Sequence, residues 1–176
     1  MEVELRAQIE MALDAGIDVT HLDSHMGTVF FPPFLDAYRK LAEEFRLPVF
    51  AVRPDPKVLA ERGLQGAMEI LNWLVGSLEA QGFPILDGFD LASLDFAEGQ
   101  GAAHNRKRIE GLRTGVSYLI CHPAQAGEEL SHITPDSAHQ RDFERGFYGS
   151  DEAARVFDAA GVKRVGMRPL RDLLRS

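Results

Sequence analysis

Three side chains able to hold a metal ion, His21, Asp23 and His25, fall at every second position of the stretch THLDSH. Alternate residues of a strand point to one face, so the spacing suits an extended segment. Residues four apart on a straight strand are nevertheless roughly 13 Å from each other, too far for one ion to bind both imidazoles. His25, at the exit of the segment, is therefore the better metal ligand, and His21, deeper on the same face, orients a neighbour. Asp23 between them can accept a hydrogen bond from an imidazole or reach an ion through water. The plain alternative is a polar strand end satisfied by backbone and solvent.

A second chemical stretch is ICHPA, where His122 follows Cys121 and Pro123 sets the exit of the chain. A neutral imidazole at a strand end can serve as general acid or base near pH 7. Cys121 itself is read as a small buried hydrophobe, since no basic residue other than that histidine adjoins it. Arg141 and Glu144, three apart on a helix, read as a solvated ion pair worth under about 1 kcal/mol. Their alternative roles are to clamp the loop after His122 or to touch a substrate hydroxyl. Phe30 and Phe31, directly after the histidine stretch, are the best candidates for a sugar-stacking face, ahead of Phe34 and Trp73, although aromatic side chains are usually core. The glycines of GQGAAH, Gly99 to His104, lack the preceding strand and third glycine of a dinucleotide fingerprint.

The elements that must position these groups follow from periodicity and punctuation. Helices are expected at Val3 to Ala15, capped by Gly16, and at Pro33 to Phe45, with proline in the first turn. A third helical stretch, Pro56 to Ala80, should break or bend at its glycines, Gly63, Gly66 and Gly76. Further helices are expected at Ala103 to Arg113, Asp151 to Ala160 and in PLRDLLR. Strands are expected in IDVTHLD, LPVFAV, FPILDGFD, VSYLICHP and VKRVGM, with VSYLICHP the clearest. The span from Cys121 to His139 reads as a long irregular loop of the kind that carries sites. Helix and strand alternate at least four times, which predicts an α/β fold with a parallel sheet or barrel. His25 and His122 both fall just past the end of an expected strand, which is the catalytic rim of such folds.

With 176 residues and 45% hydrophobic content, the chain can bury the core of one domain, residues 1–176. A net charge of −8 argues against nucleic acid or an anionic membrane as partner and leaves small neutral or cationic partners open. The single cysteine excludes a disulfide framework and a cysteine-rich zinc site. No apolar run approaches the roughly 20 residues needed to span a bilayer, and the N-terminus is acidic where a signal peptide is basic, so a cytoplasmic location is expected.

THLDSHMGTVFFPPF, together with YLICHPA and the closing RDFERGF and GVKRVGMRPLRDLL, resembles the YdjC-like carbohydrate deacetylases, the family of chitooligosaccharide deacetylases. The resemblance implies an irregular β/α barrel that hydrolyses N-acetyl groups from amino sugars, using a divalent metal, magnesium or zinc, held by an aspartate and two histidines. By resemblance His25, closing the HxDSH motif, is a metal ligand, and His122 of the CHP motif sits where related polysaccharide deacetylases place a general acid. The candidate set is then His122 and Asp23 for catalysis, His25 and His21 for the metal, and Phe30, Phe31 and Arg141 for substrate.

Two departures from the family pattern matter. An Asp-Asp motif, which supplies the base and a metal-binding aspartate, and a later ligand histidine have no counterpart, so the chain reads as the C-terminal portion of the fold, an incomplete barrel without its first strands. Unpaired strand edges in such a barrel invite homo-oligomers. Met26, Gly27 and Thr28 replace the usual histidine-rich continuation, which implies a different substrate pocket. The competing reading is a catalytically incomplete carbohydrate-binding or scaffolding α/β module.

Overall fold

The computed structural model describes residues 1–61 and 63–176 and shows a mostly helical α/β protein with two compact units, residues 1–86 with 165–176 and residues 87–164. The first unit holds α1 (Glu2–Asp14), α2 (Pro32–Phe45), α3 (Pro56–Glu61), α4 (Met68–Glu79) and, from the end of the chain, α9 (Met167–Leu174). The second holds β1 (Gly88–Asp90), α5 (Gly101–Glu110), β2 (Ser117–Leu119), α6 (Glu128–Ile133), α7 (Ala138–Tyr148) and α8 (Asp151–Ala159).

In the first unit α2 organises the packing. Proline at its start loses no helical hydrogen bond, and Arg46 ends it in the left-handed conformation, φ 48°. Leu35, Tyr38 and Ala42 recur at helical spacing and bury against Val49, Ala51, Leu74, Leu78, Phe83 and Leu174. Leu41 turns instead to Ile9 of α1 and to Leu47. The last helix is tied down by its arginines: Arg171 pairs with Asp18 and donates to the Val19 carbonyl at 3.0 Å, while Arg46 donates to the Leu174 carbonyl at 2.8 Å. Asp18 and Val19 lead straight into THLDSH, so α9 helps to position that segment.

In the second unit β1 and β2 run parallel, with Gly88 opposite Ser117, Phe89 opposite Tyr118 and Asp90 opposite Leu119. The chain passes between them through α5, as parallel pairing requires. Gly88 has a steric reason: a Cβ there would stand 2.7 Å from Ser117 Oγ. Ile109, Phe147, Ala153, Val156 and Phe157 make the core under α5, α7 and α8. Ser150 caps α8 by accepting the Ala153 N–H at 3.3 Å, with Asp151 and Glu152 in the first turn, where the helix dipole favours negative charge.

Several expectations need correction. The segments IDVTHLD and LPVFAV contribute only isolated parallel bridges, Leu22 with Val49 and Val52 with Leu86. Their amides are diverted locally, Val19 N–H to the Ile17 carbonyl and Ala51 N–H to the Val49 carbonyl, both at 2.9 Å. Such i to i−2 turns remove donors from a ladder. VKRVGM forms no strand: Val162 N–H closes α8 on the Phe157 carbonyl at 2.9 Å, Arg164 lies over the Phe157 ring and Val165 is exposed. The span Cys121 to His139 is not wholly irregular, since α6 lies within it and α7 begins at Ala138. The stretch Pro56 to Ala80 is interrupted as expected, by a 3₁₀ turn at Gln65–Ala67; Arg62, inside it, lies outside the described residues. Among the described residues no helix is long and apolar enough to cross a membrane.

Candidate functional site

The two histidine stretches lie in different units, and each is built by its own neighbours. In the first unit Leu22 N–H donates to the Pro48 carbonyl at 2.9 Å. The buried Tyr38 hydroxyl donates to the Leu22 carbonyl at 2.8 Å and accepts the Phe50 N–H at 3.2 Å, so one phenol joins two segments that have few ladder bonds of their own. The extended run stops at Ser24. Its carbonyl accepts the Gly27 N–H at 2.9 Å and its hydroxyl the Val29 N–H at 3.1 Å, which winds residues His25–Phe30 into a 3₁₀ turn.

Within that turn Met26 and Gly27 are both left-handed, with φ of 60° and 70°. For methionine this is a rarely adopted conformation, and its side chain is 87% exposed. His25 is exposed at the start of the turn, three residues beyond the Leu22 bridge; Asp23 is exposed, and the half-buried His21 has its Nδ1 2.9 Å from Thr20 Oγ1. Phe30 is half-buried against Tyr38 and Phe50, with ring centroids 5.9 and 5.8 Å away, whereas the Phe31 ring is 62% exposed. Trp73 is partly exposed under the Arg39 guanidinium.

In the second unit His122 lies just beyond the carboxyl end of β2, the edge at which parallel α/β folds assemble their chemistry. Its backbone N–H donates to Glu144 Oε2 at 2.6 Å, and its Nδ1 lies 2.8 Å from Ser93 Oγ. Ser93, just past the end of β1, is also 2.9 and 2.8 Å from the two Glu144 carboxylate oxygens. Glu144 is completely buried and pairs with Arg108 at 3.0 Å. The Arg108 guanidinium further donates to Asp90 at 2.6 Å, Asn105 at 2.8 Å, Tyr148 at 3.1 Å and the Ile120 carbonyl. Burial pushes the Tyr148 phenol well above its ordinary range. A paired, hydrogen-bonded charge is the form in which a protein interior tolerates ions.

The sequence shows only part of this network. Glu144 does not make the expected solvated pair with Arg141. It lies on the inward face of α7 with Gln140 and Phe147, and Arg141 Nε donates to Ser137 Oγ at 3.2 Å. Backbone ties nevertheless join the loop after His122 to α7: Ala124 N–H to the Arg141 carbonyl at 3.2 Å and Ala126 N–H to Asp142 Oδ1 at 3.0 Å. Cys121 is exposed rather than buried, and local desolvation with the Glu144 charge nearby raises its thiol pKa, which keeps it protonated. Nothing in the local sequence pattern marks Ser93, Arg108, Asp90, Asn105 and Tyr148 as one cluster. The available signal was polar residues on apolar helix faces, since Gly101, Asn105, Arg108 and Ile109 share the buried stripe of α5. A cleft of about 310 Å³ between β1 and α5 is lined by Phe89, Asp90, His104, Lys107 and Arg113, and neither Ser93 nor His122 lines it.

A divalent ion needs several donors at one point. Among the described residues no three histidine, cysteine, aspartate or glutamate side chains converge to hold one, so His21, Asp23 and His25 do not form a complete metal site by themselves.

Parallel pairing of successive segments, with an imidazole tied into a buried carboxylate network at a strand's carboxyl end, defines an α/β protein. Residues 1–159 match the family described as YdjC-like protein, and the chain belongs to that family. It is similar to a protein named carbohydrate deacetylase from Thermoanaerobacter pseudethanolicus, 24% identical over 145 residues, which cover 82% of this chain and 49% of that protein. It is also similar to a carbohydrate deacetylase from Brevibacillus brevis, 47% identical over 49 residues, 28% of this chain and 20% of that protein. The chain thus spans about half the length of the first relative and a fifth of the second.

Proposed function

We propose that the protein acts in the cytoplasm as a metal-dependent carbohydrate deacetylase, or as part of one, removing N-acetyl groups from amino sugars or their oligosaccharides. The family match over residues 1–159, with two similar proteins named carbohydrate deacetylase, is the observation that carries this reading. The fold proposed with it is an irregular parallel β/α barrel, supported by the parallel pairing of chain-consecutive segments within each unit.

Amide hydrolysis requires a proton for the departing nitrogen, because an amide anion is too basic to leave. His122 is assigned that role: as the C–N bond breaks, its ring proton passes to the amine. Asp23 is assigned to carboxylate chemistry beside His25 and His21, the proposed ligands of magnesium or zinc, and donors beyond these three are needed to complete the ion's shell. Such an ion, when bound, would polarise the acetyl carbonyl and acidify a water. Phe31, open to solvent, is assigned to stack on a sugar ring, with Phe30 as its support and Arg141 as a hydroxyl contact.

Among the described residues no three histidine, cysteine, aspartate or glutamate side chains converge on one point, and the second reading is a carbohydrate-binding or scaffolding module without catalysis. Acetate release from N-acetylglucosamine oligomers, with magnesium or zinc supplied, separates the two. Release supports the deacetylase; silence alongside measurable oligosaccharide binding supports the module. Metal content after dialysis tests His25 separately, and an unchanged content in His25→Ala would remove its assignment.

A further inference from the structure

We propose that Ser93 is a positioning residue that relays a hydrogen bond from the Nδ1–H of His122 to the buried Glu144 carboxylate, holding the imidazole in one tautomer. Its catalytic meaning rests on the assignment of His122 as proton donor; the geometry itself does not.

A serine hydroxyl has one proton to give and lone pairs to receive with. Ser93 Oγ faces three atoms at hydrogen-bond distance: His122 Nδ1 at 2.8 Å and the two Glu144 oxygens at 2.9 and 2.8 Å. Glu144 takes donors from the Arg108 guanidinium and the His122 backbone N–H, so it is a carboxylate and can only accept. The serine proton therefore goes to Glu144, and Nδ1 must be the donor to Ser93. In the opposite tautomer the Nδ1 lone pair would take the serine proton and leave serine lone pairs facing two carboxylate oxygens. Ser93 is 1% and Glu144 0% exposed, so water cannot relieve that repulsion.

With Nδ1 a donor in both protonation states, the proton exchanged with a substrate is the one on Nε2, and the ring need not flip between accepting and giving it. Among the described residues, the charged groups around the relay include Glu144 of α7, Asp90 at the end of β1 and Arg108 of α5, with Tyr148 and Cys121 protonated beside them. Two carboxylates thus face one guanidinium beside the relay.

The test is ring-nitrogen NMR of the ¹⁵N-histidine-labelled 176-residue chain with the imidazole neutral, using His122→Asn to assign the signals. The relay predicts a protonated Nδ1 and an unprotonated Nε2 in the wild type, loss of that pattern in Ser93→Ala, and its retention in Ser93→Thr, which keeps the hydroxyl. Ser93→Ala leaves the Glu144–Arg108 pair in place, so the variant folds more readily than one at Glu144. A wild-type ring protonated on Nε2, or a pattern unchanged in Ser93→Ala, overturns the proposal. In a chain that releases acetate, Ser93→Ala should lower kcat and leave KM; a loss confined to KM also overturns it. A wild type with the predicted tautomer that binds oligosaccharide without releasing acetate would instead count against the deacetylase reading and leave the relay standing.

Discussion

The backbone N–H of His122 donates to Glu144 Oε2 at 2.6 Å, joining the carboxyl end of β2 to the buried face of α7 across 22 residues of chain. One carboxylate thereby fixes both the backbone of the histidine and, through Ser93, its ring. Stability and site geometry are coupled at this point, and the consequences can be measured.

Glu144→Ala strips Arg108 of a buried counter-charge and leaves the His122 N–H without its acceptor. Breaking one partner of a buried ion pair costs about 3–5 kcal/mol. Urea denaturation should show a loss of that order, and a change below about 1 kcal/mol would mean that Arg108 is served adequately by Asp90 alone.

Tyr38→Phe removes the hydroxyl that joins the Leu22 carbonyl to the Phe50 N–H. With the ring retained, the loss should be the cost of unsatisfied buried backbone groups, about 1–3 kcal/mol. Amide exchange at Phe50 should accelerate. Unchanged protection there would show that another acceptor holds the segment leading to His25.

Two glycines should respond in opposite directions. A Cβ at Gly101 would lie 2.6 Å from the Phe143 ring, so Gly101→Ala should destabilise by about 1–3 kcal/mol. Gly76, inside α4, has open space around it, and alanine there should stabilise by about 0.5–1 kcal/mol. Thermal melts of the pair check both signs.

Asp142 makes the loop after His122 acid-sensitive. The Ala126 N–H, and then Arg145, hold its carboxyl below the usual carboxylate range. Because the folded pKa is depressed, this contribution is fully present above the unfolded value of about 3.9 and is lost as pH falls through the folded one. Exchange protection at Ala126 should fall over that acid window in the wild type and be low and flat with pH in Asp142→Ala. At the alkaline end, the raised Tyr148 phenol contributes stability below its unfolded value of about 10 that is lost as pH climbs through the folded one. Tyr148→Phe should remove that alkaline loss.

Local chemistry made most of the helices legible from the chain alone. Apolar spacing, Pro32 and Pro33 at a helix start, Gly161 after a helix end and the glycine-broken stretch before Ala80 all act within a turn or two. The strands were legible mainly as extended, apolar segments, because ladder bonds depend on distant partners and on whether amides such as Val19 and Ala51 turn back on their own carbonyls. Residue types likewise singled out His25 and His122, since few other side chains at strand ends can bind a metal or carry a proton near neutral pH. Periodicity can place Glu144 and Arg108 on inward faces, but it cannot say which charge each will meet. Only folding brings Ser93, His122 and Glu144 together from three elements, and the dry surroundings then settle the direction of every hydrogen bond among them.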